Sequence, residues 1–217
     1  FTFLNINKKV ITKDDWNNKN FTKLWLYNLH YFDFLNSKNH KIFIERNKKI
    51  IYKWIDENYP FEGVGWEPYP SSLRIVNWIR WLILSKISDE KIEKSLALQI
   101  RWLNKNLEYD LLGNHLIANA KALVFGGFFF NNLEAENWKK KGIRILNEQL
   151  KEQILNDGGH FERSPMYHCI ILEDLLDLHN LVFSNKFINE TNLEKKLKFY
   201  SRKMLVWINN ISHPDGR

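Results

Sequence analysis

Apolar residues recur at spacings of three and four along nearly the whole chain, and two-residue alternation is scarce. The pattern predicts helices over residues 22–36, 41–57, 71–86, 89–108, 115–130, 134–155, 165–183 and 192–210, with turn-forming residues between them. The predicted fold class is therefore all-α. Several helix starts carry their own signals. Ser88 precedes Asp89 and Glu90, Thr191-Asn192-Leu193-Glu194 has the form of a capping box, and Ser164-Pro165 reads as an N-cap followed by a first helical residue. Asn114 reads as the N-cap of the fifth helix, and Gly158-Gly159 as the stop of the sixth. Helices of similar length in consecutive hairpins suit an (α/α) toroid, although a plain bundle or a solenoid fits the same periodicity.

A chain of 217 residues without a Pro/Ser-rich linker or low-complexity tract is expected to be one domain with a sizeable core. It starts without methionine and closes on turn residues over 212–217, which predicts a piece of a longer product. No run in it is apolar enough to span a bilayer. The single Cys169 excludes an internal disulfide. Composition is ordinary except for 15 Phe, 9 Trp and 8 Tyr. Surplus indoles either pack between helices or form platforms for sugar rings. Lys and Arg exceed Asp and Glu by a net charge of +7, which favours anionic partners. Nucleic acid is disfavoured, because no block of five consecutive basic residues occurs.

Four segments concentrate candidate chemistry. The longest connection, 58–70, holds Trp66, Glu67 and Tyr69 among prolines and glycines, a composition suited to a binding rim. The helix after it puts Arg74, Asn77 and Trp81 on one face, where a guanidinium could bridge a carboxylate and an indole stack on a pyranose. A solvated surface helix explains the same spacing. The remaining pair is Gly113-Asn114-His115-Leu116 at one helix start and Glu162-Arg163-Ser164-Pro165-Met166-Tyr167-His168 at another. Backbone N–H groups are unpaired at such starts and the macrodipole is positive, an environment that favours a phenolate and attracts a carboxylate. Read one at a time, Asn114 is a cap and His115 an ordinary histidine. Together they suggest two helix starts facing one cleft.

Four ordered blocks carry a family resemblance: Trp25-Leu26-Tyr27-Asn28-Leu29-His30-Tyr31-Phe32-Asp33, Gly65-Trp66-Glu67-Pro68-Tyr69-Pro70-Ser71-Ser72-Leu73-Arg74, Gly113-Asn114-His115-Leu116, and residues 157–168. Together they resemble the N-terminal helical domain of heparinase II/III-like polysaccharide lyases. The resemblance implies an incomplete (α/α) toroid followed, in longer members, by a β-sandwich, and a bacterial periplasmic or secreted setting. It implies β-elimination on a uronate-containing acidic polysaccharide, with Asn114 and His115 neutralising the substrate carboxylate and Tyr167 as base and acid. His168 is a further catalytic candidate. Trp66, Glu67, Tyr69, Arg74, Asn77, Trp81, Glu162 and Arg163 are the expected substrate-binding residues. This chemistry needs no cofactor, and no metal site is expected in this chain. Two rival readings remain: a toroid glycoside hydrolase using Glu67 and Glu162 as its carboxylic acids, and a non-catalytic module that binds anionic glycans.

Overall fold

The computed structural model describes residues 1–38, 40–185, 191–213 and 215. The chain forms two compact units, residues 1–107 and 108–217. The expected capping role of the Thr191 side chain and residues 214, 216 and 217 of the closing turn lie outside the described residues.

The first unit opens with a small antiparallel pair, β1 (Thr2–Phe3) and β2 (Ile6–Asn7), with Thr2 opposite Asn7 and Phe3 opposite Ile6. Two residues per strand give no alternation to detect, so the periodicity does not predict it. Four helices follow: α1 (Lys23–Tyr31), α2 (Ile44–Glu57), α3 (Pro68–Ser85) and α4 (Glu90–Lys105). Helix α1 starts at Thr22, whose hydroxyl accepts from the Trp25 N–H, and ends where Phe32 turns left-handed. That turn divides the expected 22–36 helix into α1 and a short 3-10 segment, Asp33–Asn36. Pro68 opens α3 three residues earlier than expected, because its missing N–H costs nothing in a first turn. At α4 the cap is Asp89, not Ser88: Asp89 Oδ1 accepts from Ile92 N, and Glu93 Oε1 accepts from both Asp89 N and Ser88 Oγ.

Aromatic packing builds this unit. Trp16, Trp25, Trp54, Trp78 and Trp81 are all but fully buried, so these indoles fill the core and form no sugar platform. Phe32 stands edge-on to Trp54 and Trp78, and Trp54 is also edge-on to Trp78.

The second unit contains α5 (Gly113–Phe129), α6 (Leu133–Gln153), α7 (Pro165–Ser184) and α8 (Thr191–Ile211). Helix α5 is buried along almost its whole length and packs against α6 and α7, while α7 packs against α8. Asn132 caps α6 through the Ala135 N–H, and, as the sequence predicts, Ser164 caps α7 with Pro165 as the first helical residue. Helix α6 ends at Gln153, five residues before Gly158 of the expected glycine stop. The glycines instead serve the turn that follows: Gly158 has φ +94°, and a Cβ on it would stand 2.4 Å from the Lys203 carbonyl oxygen of α8. Among the described residues no helix is long and apolar enough to cross a membrane.

Candidate functional site

Helix α5 begins two residues earlier than its sequence signal, so Asn114 is not the cap. Leu112 holds that place with φ 57° and ψ −143°, Gly113 follows at φ +54°, and Asn114 falls in the first helical turn. A branched aliphatic residue in a region suited to glycine is a strained arrangement that its surroundings must hold. Arg163, just before α7, also has positive φ, at 54°. Both candidate helix starts thus follow a forced backbone turn.

Gln153, the last residue of α6, ties them together. Its amide nitrogen donates to Gly113 O at 2.9 Å and to Gln149 Oε1 at 2.7 Å, so its oxygen accepts from His160 Nε2 at 3.0 Å. A short backbone bridge reinforces the turn, with Phe161 N donating to Gln153 O and Leu155 N to Gly159 O. A Cβ on Gly113 would stand 3.0 Å from Glu162 Oε1, which puts the carboxylate of one block against the first residue of the other.

A second tie lies deeper in the unit. Lys121 on α5 reaches Asp174 Oδ1 at 2.8 Å and Asp177 Oδ2 at 2.7 Å, both on α7, in a largely buried triad. Burial opposes the Lys121 charge, but Asp174 and Asp177 outweigh it and raise its pKa. Burial raises the Asp174 pKa, Lys121 opposes that shift, and Asp177 adds to it. Two carboxylates share one ammonium, and the more buried of them carries the upward shift. With the helix starts joined through Gln153 and the mid-helices through this triad, α5 and α7 run side by side in the same direction.

The register then follows from helix geometry. From 114 to 121 and from 167 to 174 is seven residues each, about two turns, so each pair shares a face of its helix. Asn114 therefore lies on the side of α5 that turns toward α7, and Tyr167 on the side of α7 that turns toward α5. Asn114 is 9% exposed, and His115 and Tyr167 are half-buried. Glu162 and Arg163 are exposed in the turn before α7.

Several other predicted residues are placed differently. His168 is fully buried, its Nε2 donates to Met204 O at 3.0 Å, and its ring stacks on Trp207, so it buttresses α8 and has no access to a substrate. Burial lowers its pKa, opposed by the Met204 hydrogen bond and by Asp157. Its sequence signal was adjacency to Tyr167, but neighbours on a helix point about 100° apart.

Arg74, Asn77 and Trp81 do share a face of α3, yet that face is the core of the first unit. Arg74 is fully buried: Nη1 donates to Gly65 O at 2.7 Å, Nε to Gln99 Oε1 at 2.8 Å, and the guanidinium lies 3.9 Å from the Trp54 ring centroid. Asn77 donates to Tyr31 O and Asp33 Oδ1, and Trp81 is fully buried. Direct sugar contact is closed to Arg74 and Trp81. Buried polar groups satisfied by backbone acceptors look the same in sequence as a polar surface stripe.

His30 belongs to the same knot, donating from Nε2 to Trp16 O and accepting at Nδ1 from Trp54 Nε1. Its pKa is lowered to about 3, by burial first and Arg74 second.

In segment 58–70, Trp66 is buried and lines a hollow of about 460 Å³ with Trp54, Pro60, Lys91 and Lys94. Glu67 is half-buried, accepts from the Tyr27 hydroxyl and pairs with Lys23 at 2.9 Å. Tyr69 is half-buried and edge-on to Tyr31. Tyr59 and Phe61 are the aromatics this segment exposes.

The two helix starts, one carrying Asn114 and His115 and the other leading to Tyr167, stand on a predominantly helical fold, and comparison with known proteins makes the family definite. The family model described as Heparinase II/III N-terminus matches residues 17–217, and the chain belongs to that family. A heparin-sulfate lyase of Bacteroides stercoris is 35% identical over 116 residues, covering 49% of this chain and 16% of the relative. One of Bacteroides thetaiotaomicron is 27% identical over 168 residues, covering 66% and 23%. The chain thus spans less than a quarter of the length of either relative. Among solved structures, a heparinase III gene product with methylated lysines superposes with TM-score 0.69 at 19% identity, over 100% of this chain and 39% of that one. A second heparinase III gives 0.67 at 23% identity, over 97% and 33%. These likenesses show the fold, the incomplete (α/α) toroid that the resemblance implied.

Proposed function

We propose that this chain is the helical part of a bacterial polysaccharide lyase, periplasmic or secreted, that cleaves a uronate-containing acidic polysaccharide by β-elimination. Asn114, assisted by His115, neutralises the substrate carboxylate, and Tyr167 serves as base and then acid. What supports this most is the side-by-side register of two helix starts, one bearing Asn114 and the other Tyr167, tied by Gln153 and the Lys121 triad. The heparin-sulfate lyase names of the relatives point to a glycosaminoglycan as the substrate class.

The chemistry asks for these groups. The C5 proton of a uronate is weakly acidic, because the adjacent carboxylate already carries negative charge and its removal adds more. Amide N–H donors and the positive end of α5 stabilise that added charge where it develops, which is worth a few kcal/mol per preorganised donor. The Tyr167 oxygen takes the C5 proton, the C4–O4 bond breaks, and O4 leaves with a proton returned from the same phenol. The product has a C4–C5 double bond. The remaining length of the relatives leaves room for a further domain, and we propose that a β-sandwich completes the cleft in the full-length protein.

The test is ultraviolet absorbance of the unsaturated product, with the full-length protein offered heparan-type, alginate and other uronate polymers. Tyr167→Phe should abolish the absorbance while polymer binding persists. Elimination at an unchanged rate by Tyr167→Phe would reject the assignment, and a saturated product would favour the hydrolase reading.

A further inference from the structure

The carboxylate that faces His115 is engaged at both of its oxygens. Glu108 is 8% exposed, and its Oε1 lies 3.0 Å from His115 Nδ1. Its other oxygen, Oε2, accepts from Asn119 Nδ2 at 2.9 Å, and Asn119 Oδ1 accepts from the Glu108 backbone N–H at 2.9 Å. Asn119 is fully buried on α5, and Leu112 N donates to Glu108 O at 3.0 Å, so the carboxylate is fixed from the helix and from the loop. A carboxylate can only accept from an imidazole nitrogen. His115 Nδ1 must then carry the proton.

We propose that Glu108 is a positioning residue that keeps His115 protonated at Nδ1 and so confines its proton exchange to Nε2. In the neutral ring Nε2 is an acceptor, suited to a tyrosine or sugar hydroxyl; in the charged ring it is a donor, suited to a uronate carboxylate. Without Glu108 the two tautomers compete, and half of that function is lost whenever Nδ1 holds the lone pair. The proposal rests on the reading of Asn114 and His115 as the substrate-facing pair. Its core claim about the tautomer is measurable without turnover.

Glu108→Gln separates charge from shape. The Gln oxygen must still face the Asn119 amide donor, which turns the Gln NH₂ toward His115 Nδ1 and makes that nitrogen an acceptor. The variant should thus invert the tautomer, from Nδ1–H to Nε2–H. The readout is long-range ¹H–¹⁵N correlation of the histidine rings in this chain at a pH where they are neutral, with the amide spectrum of the variant confirming that the fold is retained. In the full-length protein the same variant should lose about 10–100-fold in kcat with KM within about threefold, the usual size of a lost outer-shell partner. Glu108→Asp, which keeps an acceptor, should keep the Nδ1–H tautomer and recover part of the rate.

A wild-type ring already Nε2–H, a Glu108→Gln ring still Nδ1–H, or an inverted tautomer with unchanged kcat would each overturn the proposal. Failure of the lyase reading itself has a different signature: Asn114→Ala and Tyr167→Phe would eliminate at the wild-type rate whatever the His115 ring does.

Discussion

Replacing Lys121 by methionine removes the cation that bridges Asp174 and Asp177 while keeping the volume of the side chain. Asp174 is 6% exposed, so its carboxylate cannot turn to water, whereas the less buried Asp177 has more freedom to relax. Stripping one partner from a buried ion pair costs about 3–5 kcal/mol. For a chain of this size that is a fall of roughly 6–20 °C in Tm.

The pH dependence is the sharper signature. Burial already holds the Asp174 carboxyl above its ordinary value with Lys121 opposing, and without Lys121 it rises further. A carboxyl whose folded pKa exceeds its unfolded pKa favours the fold where it is protonated. Its penalty is therefore full above the folded pKa and is relieved as pH falls through it. The deficit of Lys121→Met relative to wild type should shrink as pH falls from 7.5 to 5. Lys121→Met combined with Asp174→Asn, which neutralises the stranded carboxylate, should recover most of the loss at pH 7.5. Thermal unfolding followed by circular dichroism at the two pH values reads both effects. A melting point within about 2 °C of wild type at pH 7.5, or an equal deficit at both pH values, would refute the buried-triad account and with it one of the two ties between α5 and α7.

Three further outcomes follow from the same structure. Arg74→Ala empties a core site, strands Gln99 Oε1 and leaves Gly65 O with only the Ser71 hydroxyl, so urea unfolding should show a loss of about 3–5 kcal/mol, while polymer KM in the full-length protein stays within about twofold. A large KM rise without loss of stability would restore Arg74 to the binding surface. Acid should weaken the wild-type fold, because His30 and His160 are held near 3 and 4, by burial first, with Arg74 and His168 adding respectively. Unfolded, each titrates near 6.5, so stability is full above that value and falls below it, by about 2 kcal/mol per ring between pH 6.5 and 5. Urea midpoints at pH 7.5 and 5 check this, and a flat profile contradicts neutral burial. Gln153→Leu cuts the link from His160 to Gly113 and should lower kcat of the full-length protein about 10–100-fold with little change in KM, whereas an unaltered rate would mean that the helix starts hold their register without it.

The eight helices were legible in the chain because the 3.6-residue period of a buried face is written locally, and Ser164-Pro165 marked the α7 start without tertiary help. So was the pairing of Asn114-His115 with Tyr167 as candidates, since both sit at predicted helix starts. Legibility failed where a local pattern has two tertiary solutions. Arg74, Asn77 and Trp81 read as a polar face with an indole, and only the carbonyls of Gly65 and Tyr31 and the face of Trp54 make that face a core. His168 read as a partner of Tyr167 until α8 covered it.

Glu108, Lys121 and Gln153 gave no signal as site-building residues, because a lone carboxylate, lysine or amide in a helical sequence reads as surface by default. Their roles come from partners 7 to 56 positions away, between α5, its preceding loop, the turn before α7 and α7 itself. Periodicity decides which residues a helix buries, and so the elements and their faces could be read from the chain. Which polar groups meet across those faces depends on the register between helices, and that register was decided by packing.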